Sequence, residues 1–207
     1  MTFSRGVSEN RRTVRFICLV IVAVVSGGPI CAEEPTEAEI GPVQVLQSER
    51  DALAEIFPDA DSAVADTIRT DSEMVAAVKS LVGWAIADSV FVCYSAFDDG
   101  YRLGMAIVSE ERGKYRPITF MAGMDTLGRL VDVRVLVYRE SRGGEIRRPR
   151  FLKQYRHKTL DDPIRINRDI INITGATISV NALNAGVRKV LAVVDHLRTT
   201  RQAQVAP

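Results

Sequence analysis

The stretch Val90–Tyr138 constrains the fold most strongly, because apolar and polar residues alternate along much of it. A period of two places successive side chains on opposite faces of a strand. Turn signals interrupt the pattern at Asp98–Gly100, at Glu111–Gly113 and at Asp125–Gly128. Short turns of this kind join antiparallel neighbours. The pattern therefore predicts an antiparallel β meander.

The clearest strand in this stretch is Leu130–Tyr138. We expect one of its faces to contact the core and the other to be wetter. The residues expected on the core face are Val131, Val133, Val135 and Val137. The residues expected on the wetter face are Asp132 and Arg134.

Helical periodicity flanks the meander on both sides. Before it, apolar residues recur at helical spacing over Val45–Phe57, and Pro58 is expected to end that helix. A second helix is predicted from Thr70, which has the spacing of a capping box with Glu73. After it, a continuous apolar stripe predicts an amphipathic C-terminal helix over about Ile178–Arg198. The predicted fold class is α+β, an antiparallel β-sheet meander flanked by helices.

The first 32 residues have the pattern of an export signal. Basic residues at 11–15 precede the apolar run Phe16–Val25, and the breaker cluster Ser26–Pro29 follows it. The run is about half of the roughly 20 residues that a transmembrane helix needs, although extension to Ala32 brings it nearer. We therefore interpret residues 1–32 as a signal peptide or an N-terminal membrane anchor. Either interpretation predicts an extracytoplasmic (periplasmic) protein, tethered through residues 16–32 if the leader is retained.

Beyond the leader, the sequence predicts one folded domain. Residues 33–42 are acidic and contain two prolines, which is typical of a linker. The domain is predicted over residues 43–198, because 46% hydrophobic and 26% charged residues are an ordinary globular balance. We expect residues 199–207 to form a disordered tail.

Charge and cysteine content exclude several classes of function. A net charge of +1 argues against a nucleic-acid-binding protein, which usually concentrates a large basic excess. Two of the three cysteines, Cys18 and Cys31, fall in the leader, and there are only two histidines. No cluster with metal-ligand spacing results, so we predict no metal site. Cys93 lies in an apolar strand, where free cysteine usually packs as a small hydrophobe.

A basic stretch follows the meander. It contains Arg147, Arg148, Arg150, Lys153, Arg156 and Lys158. Such a stretch forms a solvated face in many proteins. The alternative is electrostatic, because these cations can hold the phosphate of a cofactor or attract an acidic redox partner.

The segment Ile173–Ser179 gathers hydroxyl and small residues just before the C-terminal helix. The first N–H groups of a helix are unpaired, and the helix dipole favours an anion there. Small residues also let a phosphate approach the backbone. The same pattern fits an ordinary hydroxyl cap preceded by a glycine turn. The residues alone leave both interpretations open.

Thr174-Gly175-Ala176-Thr177, followed by an apolar residue and a serine, resembles the flavinylation motif of FMN-binding domains. These domains occur in bacterial membrane-linked electron-transfer systems, including the peripheral flavin subunits of the Rnf complex and of the sodium-pumping NADH:quinone reductase. In that family, a flavin transferase uses FAD to join FMN, through its phosphate, to the last hydroxyl residue of the motif. The resemblance implies that Thr177 carries covalent FMN.

The resemblance extends over roughly Val90–Leu197. The matching segments outside the motif are Lys114–Ile118, Tyr138–Glu140, Gly143–Ile146, Phe151–Tyr155 and Lys158. Besides Thr177, the cofactor-binding residues that the resemblance implies are Thr174, Gly175, Ala176, Ser179, Tyr138, Gly143, Gly144, Glu145 and Lys158. The residues outside the motif can also be explained without a cofactor. Tyr138 then lies on the sheet surface, the two glycines form a turn, and Glu145 and Lys158 are solvated charges.

The sequence departs from the family pattern at two positions. The family commonly has an aspartate three residues before the first hydroxyl of the motif, where this chain has Ile171. Either Asp169 or Asn172 is expected to take the place of this aspartate, or the attachment of FMN is expected to be inefficient. His157 stands where the family often has glycine, and we interpret it as a tolerated loop change.

These features predict an extracytoplasmic electron-transfer flavoprotein that relays electrons to or from a membrane oxidoreductase. Its expected partners are a flavin transferase and a membrane electron-transfer complex. No catalytic residue is required, so a redox carrier or subunit is favoured over a stand-alone enzyme. Two alternatives are a flavin-dependent reductase with its own substrate and a flavin-free sensory or interaction domain of the same fold.

Overall fold

The computed structural model of the chain describes residues 40–205, with side chains up to residue 201. The predicted leader, residues 1–32, and most of the predicted linker, residues 33–42, lie outside the described residues. Within residues 44–205, the strands are β1 (Gln44–Val45), β2 (Ser62–Arg69), β3 (Val90–Asp98), β4 (Tyr101–Arg112), β5 (Pro117–Asp125) and β6 (Leu130–Tyr138). The α-helices of the same range are α1 (Glu49–Ile56), α2 (Ser72–Val82), α3 (Pro149–Leu152) and α4 (Thr177–Val205). Two 3-10 turns, Gly144–Arg147 and Lys153–Tyr155, flank α3.

The six strands form one sheet in the order β1-β6-β5-β4-β3-β2, with every neighbouring pair antiparallel. Strands β3 to β6 pair in sequence order, so the predicted meander and the α+β fold class are confirmed. The two edge strands, β1 and β2, were not predicted. Residues around Val45 were expected to begin a helix, but β1 pairs with the end of β6, and α1 begins only at Glu49.

Both faces of the sheet are covered by helices. Helix α4 packs across β4 and β5, and its predicted apolar stripe lies in the main core. Helix α1 packs on β5 and β6 from the other side, where Ile56 and Phe57 join a smaller cluster with Met121 and Leu136. The sheet is therefore the middle layer of the domain.

Lys189 also ties α4 to the sheet, although it is only 3% exposed. Its ammonium group lies 2.9 Å from the carboxylate of Asp88 and 2.8 Å from that of Glu111, and it donates a hydrogen bond to the Glu110 carbonyl. A buried charge is tolerated when it is paired and hydrogen-bonded in this way. The contact fixes the middle of α4 against the end of β4.

Strand β6 does not alternate as predicted. Bulges opposite Thr119–Phe120 and Gly123–Met124 shift its register against β5. The prediction that four valines share one face is wrong, because each bulge inserts an extra residue and reverses the side-chain direction. Those in the main core are Val133 and Val135, whereas Val131 and Val137 pack against the cluster under α1.

Asp132 was expected on the wetter face of β6, but it is 2% exposed. One of its carboxylate oxygens lies 2.6 Å from Arg156 and 3.0 Å from Arg134. Two guanidinium groups offset the cost of burying the carboxylate. The sequence pattern could not show this pairing, because Arg156 lies far along the chain.

The starts of the first two helices are capped by local side chains. The Ser48 hydroxyl accepts a hydrogen bond from the Asp51 amide at 3.1 Å and begins α1. Helix α2 begins one residue later than predicted, because Asp71 rather than Thr70 is the N-cap. Its carboxylate accepts from the Met74 amide at 2.8 Å, and a charged acceptor also favours the positive end of the helix dipole.

The end of α4 also differs from the prediction. Residues 199–207 were predicted to form a disordered tail, but α4 includes residues 199–205 and ends at Val205. Arginine, glutamine and alanine in this stretch have high helix propensity, and neither glycine nor proline occurs before Pro207. No helix in the described part of the chain is long and apolar enough to span a bilayer.

Cys93 is 4% exposed and packs in the main core with Phe91 and Ile107. Burial raises the pKa of its thiol to about 11. Thiolate chemistry is suppressed at neutral pH by such a shift, so Cys93 acts as a core residue.

Gly186 offers a test of how closely α4 approaches the sheet. A Cβ at this position would lie 2.6 Å from both the Glu111 side chain and the Phe120 ring. We expect Gly186→Ala to lower the free energy of unfolding by about 1–2 kcal/mol, because overpacking exceeds the gain of about 1 kcal/mol in helix propensity. Asn181→Ala, at an exposed position of α4, is the control and should be neutral or slightly stabilising. Urea unfolding measures both, and a stabilised Gly186→Ala protein would contradict the packing.

Candidate functional site

Two adjoining cavities lie where β6 ends and α4 begins. The first has a volume of about 400 Å³ and the second about 500 Å³, within the range of small-molecule sites. Both are lined by Glu140, Ser141, Arg142 and Gly175. Lining only the first are Gln44, Tyr138, Gly143, Gly144, Glu145, Arg147, Arg148 and Thr174. Lining only the second are Lys114, Tyr115, Ala176, Thr177, Ile178 and Ser179.

A tight turn leads into α4 beside these cavities. The Ala176 amide donates to the Ile173 carbonyl at 2.9 Å, and Gly175 has φ +81°. A positive φ at the third residue is what a type II turn requires, and glycine adopts it without strain. No atom lies within 4 Å of where a Gly175 Cβ would be. The turn therefore leaves open space at the start of the helix.

The first turn of α4 has free N–H groups. The first intrahelical bond runs from Val180 to the Ala176 carbonyl, which makes Ala176 the N-cap. Alanine has no side-chain acceptor, and no other side chain among the described residues accepts from the amides of residues 177–179. The three residues that carry these N–H donors, at the positive end of a 29-residue helix, thus line the second cavity, an arrangement that favours an anion.

A buried junction holds this helix start against the sheet. Tyr138 is 1% exposed, and its hydroxyl lies 2.9 Å from the Ser179 hydroxyl and donates to the Arg142 carbonyl. Gly143 has φ +86°, and a Cβ there would lie 2.5 Å from the Ser179 hydroxyl and 2.8 Å from that of Tyr138. Burial raises the pKa of Tyr138, although the hydrogen bond with Ser179 opposes that shift. Tyr138 lines the first cavity and Ser179 lines the second, so the junction connects the two.

Glu140 brings a distant hairpin to the site. It is 5% exposed, and one of its oxygens accepts from the amides of Tyr115 and Arg116 at 2.7 and 3.0 Å. A Cβ on Gly113 would lie 2.5 Å from the same oxygen, so glycine is needed for this approach. Glu140 therefore holds the β4–β5 loop, with Lys114 and Tyr115, at the wall of the second cavity.

Thr177 is exposed, and a neighbouring side chain orients its hydroxyl. Asn172 Oδ1 accepts from the Ile173 amide at 2.9 Å, which identifies that atom as the oxygen. Its amide nitrogen, Nδ2, therefore faces Thr177 and donates to Oγ1 at 3.0 Å. The Thr177 hydroxyl accepts this bond, so its own proton points away from Asn172.

The structure brings together nine of the ten residues that the family resemblance implies. They are Thr174, Gly175, Ala176, Thr177, Ser179, Tyr138, Gly143, Gly144 and Glu145, each of which lines one or both cavities. Lys158 lines neither. Its ammonium group lies 2.8 Å from Asp169, and this pairing keeps it in the loop after the second 3-10 turn.

The positions that depart from the family pattern have distinct environments. Ile171 is 77% exposed. Asp169 accepts hydrogen bonds from Lys158 and from the amides of Ile164 and Arg165. Burial raises its pKa, but these donors outweigh that effect and lower the pKa overall. Asp169 is thus engaged in its own loop, whereas Asn172 contacts Thr177. His157 has φ +66°, a conformation that favours glycine.

Sequence interpretation missed several lining residues. Lys114, Tyr115, Glu140 and Arg142 lie in segments that match the family or adjoin them, but no spacing rule assigned them to the site. Their approach depends on pairing between β4, β5 and β6 and on the buried Glu140. Gly113 beside a turn was the available signal, because glycine often marks a close approach.

No group of histidine, cysteine, aspartate or glutamate side chains in the described part of the chain could hold a metal ion. The cavities instead present cations and helix N–H groups, a donor set that suits a phosphate.

Residues 113–192 match the family model of the FMN-binding domain. The resemblance to FMN-binding domains is thereby confirmed over these residues. They include the motif Thr174–Thr177, which lines the two cavities. No curated protein matches the sequence. Among solved structures, one match is the crystal structure of a single subunit of the Na+-translocating NADH-quinone reductase from Parabacteroides distasonis. It is 16% identical, with a TM-score of 0.40, and the match covers 69% of this chain and 84% of that chain.

The buried junction predicts different outcomes for two adjacent glycines. We expect Gly143→Ala to lower the free energy of unfolding by about 2–3 kcal/mol, because it combines a strained φ with contact against buried hydroxyls. Gly144→Ala should change stability by less than about 1 kcal/mol, because its Cβ would have no atom nearer than 3.6 Å. Urea unfolding of both proteins measures the difference. Equal stability would show that the Tyr138–Ser179 junction does not constrain this turn.

Proposed function

We propose that this protein, whose residues 113–192 match the FMN-binding domain, is an extracytoplasmic electron-transfer flavoprotein with FMN esterified through its phosphate to Thr177. The observation that carries the proposal is the open first turn of α4. Thr177 is exposed there, beside N–H groups that have no acceptor among the described residues. The Thr177 hydroxyl therefore lies at the same helix start as the N–H groups that favour an anion.

The site fits the phosphate of FMN on three grounds. Ala176 leaves the helix amides uncapped, and Gly175 leaves open space before them. Arg142 and Lys114 line the second cavity and supply positive charge. Phosphate, guanidinium and helix N–H groups form strong charge-assisted hydrogen bonds. Together these residues would hold the phosphate beside Thr177.

The adjoining cavities offer room for the rest of the cofactor, with Tyr138 lining the first and Tyr115 lining the second. When bound, FMN supplies one-electron and two-electron transfer, chemistry that protein side chains lack. The chain's own part is to bind and orient. No side chain is assigned as a catalytic acid or base, in keeping with a redox carrier or subunit rather than a stand-alone enzyme.

Attachment would be a transfer reaction catalysed by a separate flavin transferase. The Thr177 hydroxyl oxygen attacks the FMN phosphorus of FAD and forms a phosphoester bond. The anhydride bond between the two phosphates of FAD breaks, AMP leaves, and the hydroxyl proton is released. The reaction needs no oxidant, because neither phosphorus nor the flavin changes oxidation state.

Asn172 is proposed as the residue that positions Thr177 for this transfer. By donating to Oγ1, it fixes the rotamer of the threonine and leaves the hydroxyl proton on the outward side. This contact supports Asn172, rather than Asp169, as the residue that compensates for Ile171. Asp169 is instead paired with Lys158.

The extracytoplasmic part of the proposal rests on the basic and apolar pattern of residues 1–32. A covalent ester suits that location, because free FMN that dissociated outside the cytoplasm would be lost. The expected electron partner is a membrane oxidoreductase, with residues 16–32 as the tether if the leader is retained.

Covalent attachment is tested by co-producing the chain with a bacterial flavin transferase and measuring its intact mass. The wild type should gain the mass of FMN less one water. Thr177→Val keeps the side-chain shape but has no hydroxyl, so it should show no gain. Thr174→Val is the matched control and should still be modified. An unmodified wild type would contradict the ester, and a colourless one would favour the flavin-free alternative.

The role of Asn172 is tested by the kinetics of FMN transfer to the purified protein. Asn172→Ala should lower the turnover of the transferase roughly 3- to 10-fold, the effect of losing one hydrogen bond, with KM for the acceptor protein unchanged. Its melting temperature should stay within about 2 °C of wild type, because the side chain is only partly buried. Ile171→Ala changes an exposed neighbour and serves as the control. Equal turnover in all three proteins would exclude a positioning role.

A further inference from the structure

The segment after β6 presents five exposed cations beside the first cavity. We call Arg142, Arg147, Arg148, Arg150 and Lys153 the cationic surface. Residues 141–158 contain seven arginines and lysines against a single acid, Glu145. The whole chain has a net charge of only +1, so the positive charge of this segment is a local concentration.

The cationic surface has a rigid base. Between its charged residues, Ile146, Phe151, Leu152 and Tyr155 are buried in the main core. The rings of Phe151 and Tyr155 pack edge to face with centroids 5.8 Å apart, and the Tyr155 hydroxyl donates to buried Asn184 of α4 at 2.7 Å. The backbone that carries the charged side chains is therefore held in place against the main core and α4.

Neighbouring carboxylates do not neutralise the cationic surface. In the same segment, Arg156 pairs with Asp132 and Lys158 pairs with Asp169. By contrast, no ion pair joins any of the five cations to a carboxylate in the described part of the chain. Clustered like charges repel each other and lower stability unless another molecule offsets them.

The phosphate of the proposed cofactor accounts for only one of these five cations, Arg142. A phosphodiester carries one negative charge, and Arg142, Lys114 and the first residues of α4 line the cavity in which it is proposed to lie. Arg147 and Arg148 line the other cavity, whereas Arg150 and Lys153 line neither. Several positive charges thus face solvent beside the redox site.

The opposite edge of the sheet is acidic. Residues 59–73, which include edge strand β2, carry five carboxylates and a single arginine. In the strand order, β2 and β6 are separated by β3, β4 and β5. The two segments therefore carry opposite charge on different strands of the sheet, and such an arrangement steers an acidic partner toward the positive segment.

We propose that the cationic surface docks an acidic partner protein that exchanges electrons at the adjoining cavities. The proposal rests on the proposed function for the identity of the redox site. A protein partner is favoured over a membrane surface because the cationic surface adjoins the proposed redox site, where electrons must pass to another redox centre, and because residues 141–158 themselves expose no large apolar side chain. Interfacial membrane binding depends on such side chains as well as on charge.

Charge-reversal variants of the full-length protein test the cationic surface. The variant Arg150→Glu/Lys153→Glu reverses two cations that line neither cavity. The variant Arg69→Glu/Lys79→Glu makes the same change in net charge at exposed positions on β2 and α2 and is the matched control. The probe is a fluorescein-labelled deca-aspartate peptide, and its anisotropy is measured at low and high salt, with and without FMN.

We expect the first variant to bind the peptide roughly 10-fold more weakly than wild type at low salt and the control to change less than about 2-fold. Salt should weaken wild-type binding. Equal losses in both variants, or no loss in either, would overturn the proposal. Because the peptide is also tested on protein without flavin, a chain that never takes up FMN refutes only the proposed function.

Two further measurements separate the kinds of partner. The second-order rate of electron exchange with an acidic [2Fe–2S] ferredoxin should fall in the first variant and not in the control. Cosedimentation with phosphatidylglycerol vesicles should be the same for wild type and both variants. Vesicle binding that depends on Arg150 and Lys153, with no effect on the ferredoxin rate, would assign the surface to a membrane and contradict the protein partner.

Discussion

The position of the site depends on a buried hydrogen bond between Tyr138, at the end of β6, and Ser179, in the first turn of α4. It joins the sheet to the helix at the point where both meet the cavities. Gly143 completes the junction because any side chain there would collide with both hydroxyls. With this contact in place, Thr177 and the next two residues of the helix start line the same cavity as Arg142. The main core, in which α4 crosses β4 and β5, supports the same arrangement from below.

The start of α4 is less stable than it could be. Replacing a hydroxyl or carboxylate N-cap by alanine typically costs about 1 kcal/mol, yet α4 has Ala176 where α1 and α2 have Ser48 and Asp71. Ala176 is 2% exposed and contributes to the core instead. An uncapped helix start is costly for folding and useful for binding an anion, because the amide donors remain available. The absence of a side-chain N-cap at this helix start therefore supports a phosphate site.

The elements that sequence could predict are those whose signal is local. The stripe on α4 follows from its spacing, and the meander follows from alternation and turns. Strand β2 escaped prediction because its residues are mostly exposed on both faces and it is held by backbone pairing with β3. The bulges of β6 and the buried charges of Asp132 and Lys189 depend on partners far along the chain.

The same distinction applies to the site. Residues 174–179 were predictable because the motif is contiguous and lies before an amphipathic helix. Lys114 and Tyr115 reach the site only through the hairpin held by Glu140. The hydrogen bond from Asn172 to Thr177 depends on the shape of the turn between them, which residue spacing does not define.

Phosphorus NMR distinguishes a phosphoester at Thr177 from FMN that is bound without a covalent bond. A phosphate monoester has a second pKa near 6, so its resonance moves between about pH 5 and pH 8. A phosphodiester has no such pKa. Flavin-loaded protein, after removal of free FMN, should show one phosphorus resonance whose position is constant over that range. A resonance that titrates near pH 6 would show FMN bound as a free monoester and would contradict the phosphoester at Thr177.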